Sequence, residues 1–475
     1  MAQVIDADVD VLRKGVAGEV LVAGQPGYDE ARTVWNGAID RRPAVIVRPM
    51  SAADVSAAIG FARSRGLEIA VRGGAHSTAG VSVVDDGLMI DLSLMNTTEV
   101  DPVSRRARVG GGATLAQRDT ATQEHGLAAP AGIVGHTGVG GLTLTGGMGW
   151  LTRKHGLALD NVVSVEIVTA DGAVRRASQE ENADLFWAVR GGGGNFGVVT
   201  EFEFALHPVG PMVALGLQFW PLSQGPEFLR LARDVATSLP DEINIIIGAI
   251  NAPPAPFVPP ELQGTPGYAL IVTGFGGEEQ HAQLLGDIRS RLTPTIDFAT
   301  PIPYAQLQQM FDEGNHFGLH AYDKATYLET LSDDALHVIA EHVARKSSPE
   351  SALFVYRLDG AFAQVEDDAT AFGGRRTPCF ALFLLAIGED AAQCEPDVAW
   401  IRDLWAALQP HAMGSGSYLN GESEFTEDRI RASYGAAKYD RLVEIKGRYD
   451  PDNVFRRNAN IPPAATPPRQ RTPQP

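Results

Sequence analysis

Apolar and polar positions in the first part of the chain follow the period of a strand, then of a helix, then of a strand again. Residues 44–48 form a short apolar run closed by a proline. Ser51 has N-cap chemistry, and apolar residues recur after it at helical spacing until Gly66. The next apolar run, residues 67–71, leads directly into a glycine-containing loop at 72–77. The pattern therefore predicts a strand–helix–strand unit that ends at this loop.

Between residues 88 and 206 the pattern favours strands. Apolar and polar side chains alternate from Val163 to Thr169, and Asp171-Gly172 supplies a hairpin turn after them. Glycine is concentrated before residue 200, where the backbone must approach another group closely. We predict strands at 88–92, 107–109, 163–169 and 198–206, and a helix at 184–188.

The character of the chain changes after Pro208. Five prolines between residues 253 and 260 mark a long loop. The last residues, 463–475, are rich in Pro, Thr and Arg, and we predict a disordered tail there. In between, the pattern predicts strands at 269–273, 353–358 and 380–386 and helices at 334–345 and 398–408.

Composition and charge exclude several classes of protein. The 475 residues are 44% hydrophobic and 20% charged, which is typical of a soluble globular protein of two or three domains. The net charge of −19 disfavours nucleic acid as a partner. No apolar run spans a bilayer, and residues 1–13 lack the features of a secretory signal. Cys379 and Cys394 are too few for a disulfide framework, so we expect a cytoplasmic protein.

Several nucleotide and metal motifs are absent or inverted. Gly192, Gly194 and Gly197 satisfy G-x-G-x-x-G, but a predicted helix precedes them and a strand follows, which reverses the dinucleotide-binding order. The histidines have no metal-like spacing, and we expect no metal site. In contrast, Gly73-Gly74 directly follows a strand, so its consecutive N–H groups either form an anion-binding nest or make a tight turn.

Five segments in order along the chain resemble the berberine bridge enzyme-like branch of the vanillyl-alcohol oxidase superfamily. The flavin-attachment loop of that family resembles the segment Arg72-Gly73-Gly74-Ala75-His76-Ser77. Its second flavin loop resembles residues 132–150. Three further signatures resemble residues 184–200, Tyr418-Leu419-Asn420 and residues 449–458.

The resemblance implies an α+β fold with a two-subdomain FAD-binding domain of the PCMH type. It also implies a substrate domain in which helices cover an antiparallel sheet. The expected boundaries are 1–208 for the FAD domain, 209–415 for the substrate domain and 416–462 for a C-terminal return to the FAD domain.

The same resemblance implies the residues that hold FAD. His76 would carry the flavin through a bond from its imidazole to the 8α-carbon, which raises the reduction potential of the flavin. Many relatives add a second bond from a cysteine, but Val134 occupies that position, so we expect attachment through His76 alone. His136 is expected to lie beside the flavin or to pack in the loop. The expected FAD-binding residues are Arg72, Gly73, Gly74, Ala75, His76, Ser77, Gly80, Gly132, Val134, Thr137, Gly138, Gly140, Gly141, Gly197, Val199, Tyr418, Asn420 and Asn458.

Tyr418 and Asn420 are the expected catalytic residues. By resemblance, Tyr418 points at the substrate and accepts a proton, while Asn420 helps to hold the site. A phenol with a pKa near ~10 needs a lowered pKa or concerted transfer to act as a base. Met148 and Leu142 replace a tyrosine and a histidine that some relatives use, which disfavours a two-tyrosine mechanism. Thr137 occupies the position whose residue, in that family, often controls the approach of oxygen to the flavin. The size of its side chain is compatible with oxidase activity.

These expectations describe an oxidase that takes a hydride from the CH–OH group of a sugar, glycoside or secondary-metabolite alcohol and reduces oxygen to hydrogen peroxide. An amine oxidase of the 6-hydroxynicotine oxidase kind is the alternative, as is a dehydrogenase with another acceptor. A flavin-holding protein without turnover is the non-enzymatic alternative. For three residues the sequence leaves open whether they line the pocket or have a structural role: Tyr322, Tyr356 and Arg357.

Overall fold

The computed structural model describes residues 6–464. Residues 1–5, the start of the segment tested for a secretory signal, lie outside the described residues. Residues 465–475, which make up most of the predicted tail, also lie outside them. Within 6–464, no helix is long and apolar enough to cross a membrane.

The first part of the chain forms a small four-stranded sheet in the order β1-β2-β4-β3. Strands β2 and β3 both pair in parallel with β4, while β1 pairs antiparallel with β2. The predicted N-cap is confirmed, because Ser51 accepts a hydrogen bond from the N–H of Asp54. Gly66, at φ 64°, ends the helix. The elements are α1 (Asp6–Gly15), β1 (Glu19–Leu21), α2 (Tyr28–Arg32), β2 (Val45–Arg48), α3 (Ala52–Arg65), β3 (Ile69–Arg72) and β4 (Leu88–Asp91).

A second, fully antiparallel sheet of five strands has the order β5-β6-β10-β8-β9. The predicted hairpin is confirmed, since its strands β8 and β9 pair directly. The elements in this part of the chain are β5 (Thr98–Asp101), β6 (Arg106–Gly110), α4 (Leu115–Gln123), β7 (Leu127–Ala128), α5 (Val139–Thr145), α6 (Thr152–His155), β8 (Val162–Val168), β9 (Val174–Ser178), α7 (Ala183–Val189), β10 (Val198–Ala205) and β11 (His207–Pro208). Strands β7 and β11 lie outside the five-stranded sheet and pair antiparallel with each other in a sheet of their own.

The third sheet has seven antiparallel strands in the order β15-β12-β14-β13-β17-β18-β16. The predicted helices at 334–345 and 398–408 correspond to α11 and to the C-terminal part of α13. The elements are β12 (Met212–Pro221), α8 (Gly225–Ala236), β13 (Ile243–Asn251), β14 (Pro266–Gly274), α9 (Glu278–Arg291), β15 (Ile296–Pro303), α10 (Tyr304–Leu307), β16 (His320–Leu328), α11 (Asp333–Val343), β17 (Ala352–Leu358), α12 (Ala361–Gln364), β18 (Cys379–Gly388) and α13 (Ala391–Leu408).

The two faces of this third sheet have different partners. Ile245 and Ile247 of β13 pack into a buried cluster with the apolar faces of α8, α9, α11 and α13. Ile246 points the opposite way and packs with Tyr356, Trp150 and Tyr418 from other parts of the chain. One face is therefore covered by helices, and the other packs against the loop of residues 132–150.

The chain then returns to the second sheet through α14 (Glu427–Tyr434) and α15 (Ala436–Tyr449). Leu442 and Ile445 of α15 are buried against α7 and the strands of that sheet. Mixed helices and sheets, with an antiparallel sheet covered by helices, confirm the α+β expectation.

Candidate active site

A cavity of about 420 Å³ lies between the glycine-rich loops and the uncovered face of the third sheet. This volume is in the range of small-molecule and cofactor sites. Residues expected to bind FAD that line the cavity are Gly73, Gly74, Ala75, His76, Ser77, Gly132, Val134, Thr137, Gly138, Gly140, Gly141, Gly197, Val199, Tyr418, Asn420 and Asn458.

Two of the expected FAD-binding residues lie outside this lining. The guanidinium of Arg72 donates a hydrogen bond to the carbonyl of Ala31 and lies 3.6 Å from the buried carboxylate of Asp91. Gly80 packs against the side chain of Ile39. Both residues therefore stabilise the loop that carries His76 from positions outside the cavity lining.

Two glycine-containing loops, residues 72–77 and 132–150, have backbones in direct contact with each other. A Cβ on Gly74 would overlap the amide nitrogen of Gly138, and a Cβ on Gly138 would overlap that of Gly74. A Cβ on Gly111 would likewise overlap the carbonyl of Val199. The close approach that the glycine-rich composition predicts is thus made between segments of the chain itself. It shapes the cavity floor from backbone atoms.

His76 lies in this floor between two aromatic rings. Trp35 stacks on it with ring centroids 5.0 Å apart. On the other side, Nε2 of His76 is 2.6 Å from Nδ1 of His136. Burial, and secondarily the neighbouring His136, lower the pKa of His76 to about 3, so its imidazole is neutral at physiological pH. A neutral imidazole has a free lone pair and can act as a nucleophile.

Tyr418 and Asn420 form a hydrogen-bonded pair at the opposite wall. The hydroxyl oxygen of Tyr418 accepts hydrogen bonds from the N–H of Gly147 at 2.9 Å and from the amide of Asn420 at 3.0 Å. Burial raises the pKa of Tyr418, while these two donors act to lower it. Tyr418 is therefore a neutral phenol at rest, with two donors aimed at the oxygen that would carry charge after its proton leaves.

The residues with an open role divide between the two faces of the third sheet. Tyr356 lines the cavity, next to Phe383. Tyr322 and Arg357 contact residues outside the lining: Arg402 donates to the hydroxyl of Tyr322, and Arg357 pairs with Asp359.

Asp323 is a site residue that the sequence pattern does not reveal. It lies on β16 and lines the cavity. Burial, together with the nearby carboxylate of Glu422, raises the pKa of Asp323 to about 7, against a hydrogen bond from Thr78 that lowers it. Around it the wall is apolar, with Phe383, Leu385 and Ile387 from β18. Asp323 thus places a buried carboxyl group beside this apolar wall. Glu422, a second buried carboxyl group that also lines the cavity, pairs with Lys324 and Arg429.

The C-terminal motif is held in place by a buried ion pair. The ammonium of Lys446 donates to the carboxylate of Asp450 at 2.6 Å and to the carbonyls of Asn195 and Phe455. The carboxylate of Asp450 in turn accepts the N–H groups of residues 454 and 455. These bonds fix the segment that carries Asn458 into the cavity.

The residues present fit a flavin nucleotide. Oδ1 of Asn458, a residue that lines the cavity, is a buried polar atom that has no hydrogen-bond partner within residues 6–464. The space in front of Gly141 is open for at least 4 Å. Backbone amides, neutral polar side chains and a neutral imidazole suit FAD, whereas no group of three or more potential metal ligands occurs in the described part of the chain.

Comparison with known proteins agrees with this geometry. The model of the FAD binding domain matches residues 43–178, and the berberine and berberine-like model matches residues 417–462. An FAD-linked oxidoreductase of Dictyostelium discoideum is 32% identical over 95% of this chain and 96% of its own length. The (R)-6-hydroxynicotine oxidase of Paenarthrobacter nicotinovorans is 32% identical over 94% of this chain and 97% of its own. The crystal structure of 6-hydroxy-D-nicotine oxidase from Arthrobacter nicotinovorans superposes with a TM-score of 0.82 at 28% identity, covering 94% of this chain and 98% of that one.

The fold and the cavity define an enzyme of the FAD-linked oxidoreductase class. Similarity extends over nearly the whole chain, including both matched segments. The chain belongs to the berberine bridge enzyme-like family of PCMH-type FAD-linked oxidoreductases.

Proposed function

We propose that this enzyme is an oxidase whose FAD is bonded to the chain through His76 alone. Bound FAD supplies hydride acceptance from a substrate carbon and the delivery of two electrons to oxygen, with release of hydrogen peroxide. The observation that carries the proposal is that one cavity contains both the neutral imidazole of His76 and the Tyr418–Asn420 pair. Val134, which also lines the cavity, has no atom that can form a second bond of the cysteine type.

The glycine loops and the C-terminal segment are the proposed holders of the cofactor. Backbone N–H groups of residues 73–77 and 138–141 would bind its polar parts, and the open space in front of Gly141 allows close approach. Asn458 would use its unpartnered side-chain oxygen on the same molecule. Support for the expected boundaries at 208/209 and 415/416 comes from the transitions between β11 and β12 and between α13 and α14.

Tyr418 is the proposed acceptor of the substrate proton. Its oxygen is held by two N–H donors, so its own O–H is left to interact with a substrate in the cavity. These donors stabilise the phenolate that is needed before Tyr418 can take a proton from a substrate hydroxyl. Asn420 also donates to the carbonyl of Leu142, which fixes its amide toward Tyr418.

A CH–OH group of an alcohol, sugar or glycoside is the first candidate for the oxidised bond, and a C–N bond of an amine is the second. Asp323 supports the second, because its buried carboxyl group lines the cavity and in its ionised form would supply the opposite charge for a substrate cation. The similarity to a 6-hydroxynicotine oxidase points the same way. A dehydrogenase using an acceptor other than oxygen is the remaining alternative.

Two measurements on the same preparation separate these candidates. A panel of alcohols, glycosides and amines is mixed anaerobically with the enzyme, and bleaching of the flavin band identifies the oxidised class. The bleached enzyme is then mixed with air-saturated buffer in a stopped-flow instrument. Fast return of the band with hydrogen peroxide supports the oxidase, and slow return would contradict it. The variant Asp323→Asn should raise KM for amines selectively if amines are the substrates.

A further inference from the structure

His76 and His136 form a direct contact between their side chains across 60 positions of sequence. The 2.6 Å distance between Nε2 of His76 and Nδ1 of His136 requires one proton between the two nitrogens. In one tautomer pair, the proton lies on Nε2 of His76 and Nδ1 of His136 accepts it. Nδ1 of His76 then carries a lone pair.

The surroundings hold the ring of His76 in one orientation. Trp35 stacks on it at an interplanar angle of 18°, and Phe317 meets it edge-on with ring centroids 6.2 Å apart. Trp35 is itself fixed, because its indole N–H donates to the carbonyl of Asn315 at 2.6 Å and its backbone N–H donates to that of Ala75. The imidazole cannot turn over without breaking these contacts and the bond to His136.

This geometry makes the two nitrogens of His76 unequal. Nε2 is engaged by His136, whereas Nδ1 has no hydrogen-bond partner within residues 6–464. His76 lines the cavity. Nδ1 is therefore the nitrogen available to a molecule in the cavity.

The other nitrogen of His136 supplies a second observation. Nε2 of His136 is buried and lacks a hydrogen-bond partner among the described residues. A purely structural histidine in this loop would usually be satisfied at both nitrogens. Its only side-chain hydrogen bond within residues 6–464 is directed at His76.

We propose that His136 is a positioning residue for covalent flavin attachment, which directs the bond to Nδ1 of His76 and accepts the proton that Nε2 must lose. This inference rests on the proposed link at His76. Bond formation joins Nδ1 to the 8α-carbon and breaks one C–H bond of the 8α-methyl group, whose proton is released. The imidazole would become a cation after alkylation, and transfer of its Nε2 proton to Nδ1 of His136 keeps it neutral. The two electrons left on the isoalloxazine ring would pass to dioxygen, which would become hydrogen peroxide by taking up two protons, equal in number to those released from the methyl group and from Nε2.

The test follows the rate at which FAD-free protein acquires acid-stable flavin after FAD is added. Noncovalent FAD uptake is measured separately by fluorescence quenching. His136→Asn retains an acceptor oxygen near the position of Nδ1 but cannot take up the proton, and His136→Ala removes both functions. His125→Ala is the matched control, because His125 is exposed and precedes the same loop. Each variant is also measured with added imidazole.

We expect both His136 variants to bind FAD but to attach it at least ~10-fold more slowly, as for loss of a general base. Added imidazole should restore attachment in His136→Ala, whose missing ring leaves space beside His76, and a structural role would give no such rescue. Attachment at the wild-type rate in either variant overturns the proposal. If His136→Ala does not take up FAD, the rate of flavin attachment in His136→Asn tests the proposal instead. Wild-type protein with no acid-stable flavin, or with flavin kept in His76→Ala, would instead refute the link at His76.

Discussion

Gly74 and Gly138 touch each other backbone to backbone, at the point where the two loops of the candidate flavin site meet. Neither residue has a positive φ, so the requirement for glycine here comes from space alone. The contact fixes the loop that carries His76 against the loop that carries His136 and Thr137.

Gly74→Ala should destabilise the protein. The added methyl group overlaps backbone atoms, which cannot move aside as a flexible side chain can, and overpacking of this kind costs about 1–3 kcal/mol. Urea unfolding measures the loss. Gly60→Ala is the control: Gly60 lies inside α3 with no atom within 4 Å of the added methyl, so that variant should gain up to ~1 kcal/mol. Equal stability of the two variants would contradict the backbone contact between Gly74 and Gly138.

Tyr418→Phe should slow flavin reduction by substrate by about 10²–10⁴-fold, because the phenyl ring retains its packing against Phe383 but cannot take a proton. Asn420→Ala removes one of two donors to the same oxygen and should cost about tenfold. Anaerobic stopped-flow absorbance gives both rates. The amount of acid-stable flavin serves as the control and should remain at the wild-type level. Reduction of Tyr418→Phe at the wild-type rate would exclude Tyr418 as the proton acceptor.

Asp323 should make stability depend on pH. Its pKa of about 7 in the folded protein lies above the value of ~3.9 in an unfolded chain, so the folded state holds the proton more tightly. Its contribution to stability is complete below about pH 4 and is lost as the pH rises through 7. Over this window the stability of wild type relative to Asp323→Asn should fall by up to roughly 4 kcal/mol. Urea unfolding at pH 4, 6 and 8 measures the free energy of unfolding of both proteins. If the two free energies changed in parallel with pH, the pKa of Asp323 would not be raised by burial.

Lys446→Ala should cost about 3–5 kcal/mol in the free energy of unfolding, because it leaves the carboxylate of Asp450 buried without its cation. Glu444→Ala on the same helix is the matched control. It breaks an exposed pair with Arg448 and should cost no more than ~0.5 kcal/mol. Similar losses in the two variants would show that the buried pair does not hold the C-terminal segment.

The strands that the sequence predicts are those with a clear period or a clear end. Alternation from Val163 to Thr169 identifies β8, and an N-cap and a terminal glycine identify α3. The sequence pattern does not predict strand β13, because this strand is apolar on both faces. One face packs against helices and the other packs on the cavity side of the sheet, so apolar and polar residues do not alternate along it.

The candidate site could be predicted as far as its motifs reach. Glycine loops, His76, Tyr418 and Asn420 stand in recognisable segments, and they do line one cavity. Asp323 could not be predicted, since its role depends on burial beside Thr78, far away in sequence. The contact between His76 and His136 likewise arises from the meeting of two loops and has no local signal.

One measurement tests most directly whether His76 carries the flavin. Purified enzyme is precipitated with acid, digested, and its flavin-bearing peptide is identified by mass spectrometry. We predict that the pellet stays yellow and that the flavin is found on the peptide containing His76, with none on that containing Val134 and His136. Flavin that passes entirely into the acid supernatant, or that is bonded to another residue, would contradict attachment at His76.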